Sequence, residues 1–322
     1  MTTTGPPPAS VIFTAPAKIN LTLEVVAKRY DGFHAIESLM VPVDPCDTLE
    51  FQATAGELTL TCDQPGIPVD GRNLVVKAAE ALRRAVGTRR GAVIRLTKRI
   101  PHEAGLGGGS SDAATTLLAL NELWGANLPT AYLAKVAAEI GSDVAFFLVQ
   151  TAGWCTGRGE IVMPQEIGRP LDLVIVKPAV GLSTKEIYSR VVVPTTPLDG
   201  TPARDALRAG DVSALGRALF NRLQAPAFAV APAVESLYRE LAALEPLGCQ
   251  LSGSGSALFA LCRDALEANR IAEAVRQKHV SDPQPPQVFV SRTRPASPPN
   301  RITLARNKES TGAHHGSPHQ TV

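Results

Sequence analysis

One run of small and polar residues has the makings of a binding loop: Pro101-His102-Glu103-Ala104-Gly105-Leu106-Gly107-Gly108-Gly109-Ser110-Ser111-Asp112. Consecutive glycines permit backbone conformations that a Cβ forbids, and they let a ligand reach the main chain. The serines and Asp112 stand where a helix should begin, so several amide N–H groups lack intrahelical partners. Free N–H groups at the positive end of a helix dipole attract anions, and a triphosphate fits that chemistry. Two familiar glycine loops do not fit. A Walker loop needs Lys and then Ser or Thr after its last glycine, where Ser110-Ser111 stand. A dinucleotide fingerprint needs glycine at Ser110 and a second parallel strand soon after. A loop kept tight only for packing is the other reading. Asp143 follows Gly141-Ser142, between two helices, where the helix field favours an ionised carboxylate. Capping by Asp143 explains the same residue. Lys18 falls on the polar face of a strand, and position alone makes it a surface lysine.

These residues need elements to hold them. Residues 12–26 alternate, with Lys18, Asn20, Thr22 and Glu24 on one face and Ala17, Ile19, Leu21, Leu23 and Val25 on the other, which predicts a strand. Asp31-Gly32 signals a hairpin into a strand over 33–43. Further strands are expected over 49–62 and 92–98, with a helix over 73–86 between them. Helices over 111–124 and from 130 to Gly141 follow the loop, and a third begins at Ser142 or Asp143. Strands with glycine turns cover 154–163, and a buried strand covers 171–177. Beyond it the pattern predicts helices over 183–191, 212–223, 234–244 and 266–278. Strands are expected in 250–262, around a Gly-Ser turn, and over 287–291. Both halves mix strands and helices, so the class is α+β. The boundary falls at Gly168-Arg169-Pro170, giving domains over 1–168 and 169–292. Residues 293–322 are too poor in large apolar groups to offset ordering entropy and are expected to be disordered. His314, His315 and His319 in that tail could bind a metal, but a solvated tail explains them as well.

Composition excludes several classes. The 322 residues are 44% hydrophobic and 5% aromatic, an ordinary composition with an aliphatic core. Net charge is only +2, and five cations against one acid lie from Arg292 onward. A near-neutral body argues against a nucleic-acid surface. Five cysteines, widely spaced and without a C-x-x-C, argue against a disulfide framework or zinc site and for a reducing compartment. The N-terminus lacks the basic and apolar regions of a signal peptide. No apolar run approaches the ~18 residues of a membrane span. A cytoplasmic protein with no membrane partner is expected, and nothing in the sequence specifies an oligomer.

The segment Pro101-x-x-x-Gly105-Leu106-Gly107-Gly108-Gly109-Ser110-Ser111-Asp112 resembles the phosphate-binding motif of the GHMP kinase superfamily. Ala15-Pro16-Ala17-Lys18-Ile19-Asn20-Leu21, Arg29-Tyr30-Asp31-Gly32-Phe33-His34 and Gly141-Ser142-Asp143-Val144 resemble its other motifs, in family order. Gly157-Arg158-Gly159-Glu160 and Leu251-Ser252-Gly253-Ser254-Gly255-Ser256 match as well. The resemblance implies a two-domain fold: an N-terminal domain with a left-handed βαβ unit and a C-terminal ferredoxin-like domain. It implies phosphoryl transfer from ATP, with Mg²⁺, to an alcohol. Asp143 would be the base and Lys18 the catalytic lysine. The loop from Pro101 to Ser111 would hold the phosphates, with Asn73 and Lys98 near the adenine or ribose. The motifs fit the branch whose small-molecule substrate carries a cytidine diphosphate group, with Asn20, Phe33, His34 and Tyr188 on the substrate side. Ser252 to Ser256 would close over the phosphates, or be a plain hairpin turn. From position alone Tyr188 is an amphipathic-helix residue. Phe33 replaces a common Tyr, Ala145 a common Pro, and Asn221-Arg222-Leu223-Gln224 a usually acidic segment. A relative acting on another alcohol, such as homoserine, and a silent nucleotide-binding protein are the competing readings.

Overall fold

In the computed structural model, which describes residues 10–294 and 301–302, the polar face of the first strand is not at the surface. Strand β1 (Ser10–Lys28) pairs antiparallel with β2 (His34–Thr54) through a hairpin at Gly32, whose φ is 84°. Both strands run longer than their alternation predicts, and β2 absorbs the separate strand expected from residue 49. Every residue from Ala17 to Val25 is buried, the polar ones included. A surface Lys18 is thereby excluded, because one face of β1 packs on the aliphatic core and the other on later segments.

β3 (Leu58–Cys62), α1 (Leu74–Val86) and β4 (Gly91–Thr97) form a parallel βαβ unit, with β4 hydrogen-bonded between β2 and β3. Asn73 caps α1 by accepting from the Val75 amide at 2.9 Å. Helices α2 (Gly108–Leu123), α3 (Thr130–Ile140) and α4 (Val144–Val149) follow. α2 starts three residues earlier than its composition predicts, with Gly108 and Gly109 in its first turn. Glycine is a poor helix former in isolation, and tertiary contact overrides that preference here. β5 (Ala152–Thr156) and β6 (Ile161–Gln165) make a hairpin that joins the sheet through β2.

The second sheet is built from β7 (Asp172–Lys177), then, after five helices, β9, β10 and β11. The helices are α5 (Thr184–Ser189), α6 (Thr201–Ala209), α7 (Val212–Arg217), α8 (Gln224–Val230) and α9 (Pro232–Ala242). The strands are β9 (Gly248–Leu251), β10 (Leu258–Cys262) and β11 (Gln287–Arg292), with α10 (Ala265–Lys278) before the last. The order β11-β7-β10-β9 is antiparallel throughout and matches the ferredoxin-like pattern. The helix expected over 212–223 stops at Arg217. Its second half becomes the short strand β8 (Phe220–Asn221), parallel to β1, because β1 offers edge hydrogen bonds there. α6 and α8 have no counterpart in the sequence pattern.

The expectation of disorder from residue 293 does not hold at its start. Thr293 is buried, its amide donates to Leu171 O at 3.0 Å, and its hydroxyl accepts from the Leu171 amide at 2.9 Å. Strand β12 (Arg301–Ile302) pairs with β1. Residues 295–300 and 303–322, the histidines included, lie outside the described residues. Among the described residues, no helix is long and apolar enough to cross a membrane.

Candidate active site

A cavity of about 1150 Å³ brings the scattered motifs together. The glycine loop, the β1–β2 hairpin, the start of α1, the segment before α4, α5 and the turn at Gly253-Ser254 all line it. Lys18, Asn20, Phe33, His34, Asn73, Lys98, Asp143, Tyr188 and each residue from Pro101 to Ser110 reach this space. Ser111 does not. It is fully buried behind the loop, with its Oγ lacking a hydrogen-bond partner. Its amide donates to Gly107 O at 2.9 Å, so it belongs to the helix rather than to the cradle.

Glycine is required at two loop positions by close approach. Gly105, at φ 72°, would place a Cβ 2.1 Å from the Ser252 carbonyl oxygen. Gly107, at φ 71°, would place one 3.0 Å from Lys18 Cγ and Phe147 Cζ. A side chain would collide at Gly105 and crowd its neighbours at Gly107, and positive φ strains most residues at both. The Ser252–Ser256 turn is therefore more than a hairpin end. Ser252 Oγ donates to Gly105 O at 3.1 Å, and the Ala257 amide donates to Ala104 O at 3.1 Å. Asn221 Nδ2 steadies the turn through Leu251 O and Gly253 O, both at 2.8 Å.

Lys18 points from β1 under this junction. Its ammonium donates to Asn20 Oδ1 at 2.7 Å and Gly105 O at 2.8 Å, and it lies 3.7 Å from Asp143 Oδ2. Burial pushes its pKa below the usual lysine range, against the opposing pull of the Asp143 charge. Asn20 is oriented by donating to Ser38 Oγ at 2.8 Å. Asp143 stands before α4, yet its side chain makes no capping hydrogen bond. Its carboxylate is about a third exposed and faces Lys18 and the cavity. The capping explanation of Asp143 fails on that geometry. A lysine charge beside a free carboxylate, at the edge of an anion-binding loop, suits proton removal from an alcohol under electrostatic stabilisation.

At the hairpin end the rings gather. His34 and Tyr188 have centroids 5.3 Å apart, tilted by 32°. The Arg158 guanidinium stacks over Phe33 at 5.0 Å. Burial, with the Lys28 charge, lowers the His34 pKa, and burial raises that of Tyr188, so both are neutral near pH 7. Flat rings around a half-open space can take a planar heterocycle.

Two expectations are corrected in detail. Lys98 lines the cavity, but its ammonium is already held by Asp47 and Asp112. Arg222 and Gln224 line none of it. Arg222 grips the buried Glu24 with Nε and Nη2, each at 2.7 Å, and Gln224 Oε1 accepts from the Leu251 amide at 3.0 Å. Their departure from the acidic pattern changes the scaffold rather than the cavity wall. Sequence reading missed Asp47, Arg72 and Thr184. None had a signal in the sequence: Asp47 falls between the strands expected over 33–43 and 49–62, and only the continuous β2 buries it.

Comparison with known proteins agrees with this geometry. The patterns described as GHMP kinases N terminal domain and GHMP kinases C terminal match residues 73–151 and 203–281. The 4-diphosphocytidyl-2-C-methyl-D-erythritol kinase of Pelotomaculum thermopropionicum is 39% identical over 87% of this chain and 96% of its own. The chain belongs to that family of GHMP kinases. It is an ATP-dependent kinase with the two-domain α+β fold expected from its motifs. A crystal structure of 4-(cytidine 5'-diphospho)-2C-methyl-D-erythritol kinase aligns with TM-score 0.73 and 33% identity, covering 88% of this chain and 100% of that one. Homoserine kinase from Cytophaga hutchinsonii aligns with TM-score 0.74 at 21% identity over 94% and 99% of the two chains, a likeness of fold alone.

Proposed function

We propose that this chain transfers the γ-phosphoryl group of ATP to the 2-hydroxyl of 4-diphosphocytidyl-2-C-methyl-D-erythritol, a step of the non-mevalonate route to isoprenoid precursors. The observation that carries this reading is the Lys18–Asp143 pair, 3.7 Å apart, in the one cavity that the glycine loop and the His34–Tyr188 rings also line. Asp143 accepts the hydroxyl proton as the substrate oxygen bonds to the γ-phosphorus. The bond to ADP breaks in the same displacement, and Lys18 offsets the negative charge. Amides of Gly107, Gly108 and Gly109 hold the phosphates, with Asn73 toward the nucleoside and Lys98 in the scaffold beneath the loop. Phe33, His34 and Tyr188 hold the cytosine, and Asn20 orients Lys18.

Mg²⁺, when bound, neutralises triphosphate charge. Among the described residues no group of three His, Cys, Asp or Glu side chains could hold a metal. Mg²⁺ commonly keeps several waters and is carried on the substrate's phosphates. Residues 1–168 and 169–292 are the two functional domains, with nucleotide and alcohol between them. A cytoplasmic site of action suits five unpaired cysteines.

ADP release with Mg-ATP tests the reading against three acceptors: the cytidine diphosphate compound, the same alcohol without cytidine, and homoserine. Turnover with the first alone is expected. Turnover with homoserine instead overturns the substrate, and nucleotide binding without turnover overturns the kinase.

A further inference from the structure

Beneath the glycine loop lies a charged cluster that the transfer itself does not use. Lys98, just after β4, sits between Asp47 of β2 and Asp112 of α2, at 2.8 Å from Asp112 Oδ2. The three side chains are 7%, 0% and 3% exposed, so all are largely shielded from water. Fully ionised, two carboxylates and one ammonium leave a surplus negative charge, which is costly to bury. The two acids are not equivalent. Asp47 accepts from Lys98, from the Arg99 amide at 2.5 Å and from the Ile100 amide at 2.9 Å. Asp112 accepts from Lys98 alone, and its buried Oδ1 has no partner. An oxygen without donors favours the protonated carboxyl. The cluster touches the loop directly: a Cβ on Gly108 would stand 3.3 Å from Lys98 Nζ.

We propose that Asp112 is a positioning residue for the nucleotide: it carries the cluster's surplus proton, so that Lys98 is clamped under the loop with no net negative charge beneath the polyphosphate. This rests on the reading of the loop as the ATP site. Burial, ahead of the opposing Lys98 charge, pushes the Asp112 carboxyl up to about 8. The charged groups acting on it are Lys98 and Asp47. Other elements packed on α2 turn theirs elsewhere. β1 directs Lys18 to Asn20 and Gly105, α1 sets Glu80 against Arg83, and α3 holds Lys135 and Glu139 at the surface. Lys77 of α1 is exposed, and α4 has no charged residue.

The sign follows. Below about pH 8 the cluster is neutral, and above it one negative charge appears under the phosphates. Mg-ATP affinity, measured calorimetrically on either side of that pH, should fall roughly tenfold in the wild type as pH rises. In D112N, which cannot ionise there, that tenfold should be missing, because any change at Lys18 is common to both proteins. An equal fall in both proteins, or no fall in the wild type, overturns the proposal. Aspartate-selective ¹³C labelling of the wild type decides independently if D112N does not fold. One carboxyl titrating near pH 8 supports the assignment, and none overturns it. A wild type that titrates so but binds no ATP refutes the nucleotide reading instead.

Discussion

Two lysines lie buried against the same glycine loop, and they are held in opposite ways. Lys18 meets neutral oxygens of Asn20 and Gly105, with one carboxylate at 3.7 Å. Lys98 is gripped by two acids, Asp47 and Asp112. Burial disfavours the charge on both. For Lys18 it wins, and its pKa falls; for Lys98 the attraction of Asp112 and Asp47 overcomes it, and the pKa rises. Lys98 is the less deeply buried of the two and has two acids beside it where Lys18 has one, and both differences act in the same direction. A lysine with loose partners leaves its ammonium available to a reaction, whereas one held between two acids is committed to the scaffold.

The sharpest break of this comparison is Asp143→Asn. Turnover should fall ~10²–10⁴-fold while the melting temperature holds, because a proton acceptor is lost and no cap is. Near wild-type turnover in folded protein would dismiss Asp143 as the base. Exchanging each lysine for methionine comes next. Lys98→Met leaves buried acids unpaired and should cost about 3–5 kcal/mol in denaturant unfolding. Lys18→Met should abolish turnover at little cost in stability, and equal destabilisation of the two would erase the distinction drawn here. Arg222→Ala extends the test to the other scaffold pair. Glu24 would lose a bidentate partner, at a cost of about 3 kcal/mol, with the KM for ATP unchanged.

The smallest expected effect lies far from the loop, at His279. Its ring nitrogens meet Asp282 at 2.7 Å and Glu240 at 3.0 Å, and the Asp282 hydrogen bond leads in raising its pKa. A raised folded value means the contribution is complete below the ordinary His range, near pH ~6.5, and is lost as pH rises through the folded pKa. The gap in melting temperature between wild type and His279→Gln should therefore narrow from mildly acid to alkaline pH. A constant gap would show that packing, not charge, joins α9 and α10.

Much of this was legible in the chain. Period-two alternation marked β1, the helical spacing marked α1 and α3, and the glycine run marked an anion loop before any fold was known. The split of residues 212–223 into α7 and β8 was not legible, because the edge that captures β8 belongs to β1, some two hundred positions earlier. The same limit applies to single residues. Glu24 reads as a surface acid until Arg222, 198 positions away, closes on both of its oxygens.

By itself the sequence determined local matters: which segments alternate, where glycine permits a loop, and which polar types could do chemistry. Those depend on neighbours within a few positions, where backbone sterics and side-chain period act. Only the tertiary structure decided that Lys18 is buried, that Asp143 is free of its helix, that Ser111 lies behind the cradle and that Lys98 is shared by two acids. Burial and charge pairing are set by contacts between distant segments, and these fix how strongly a proton or a phosphate is held.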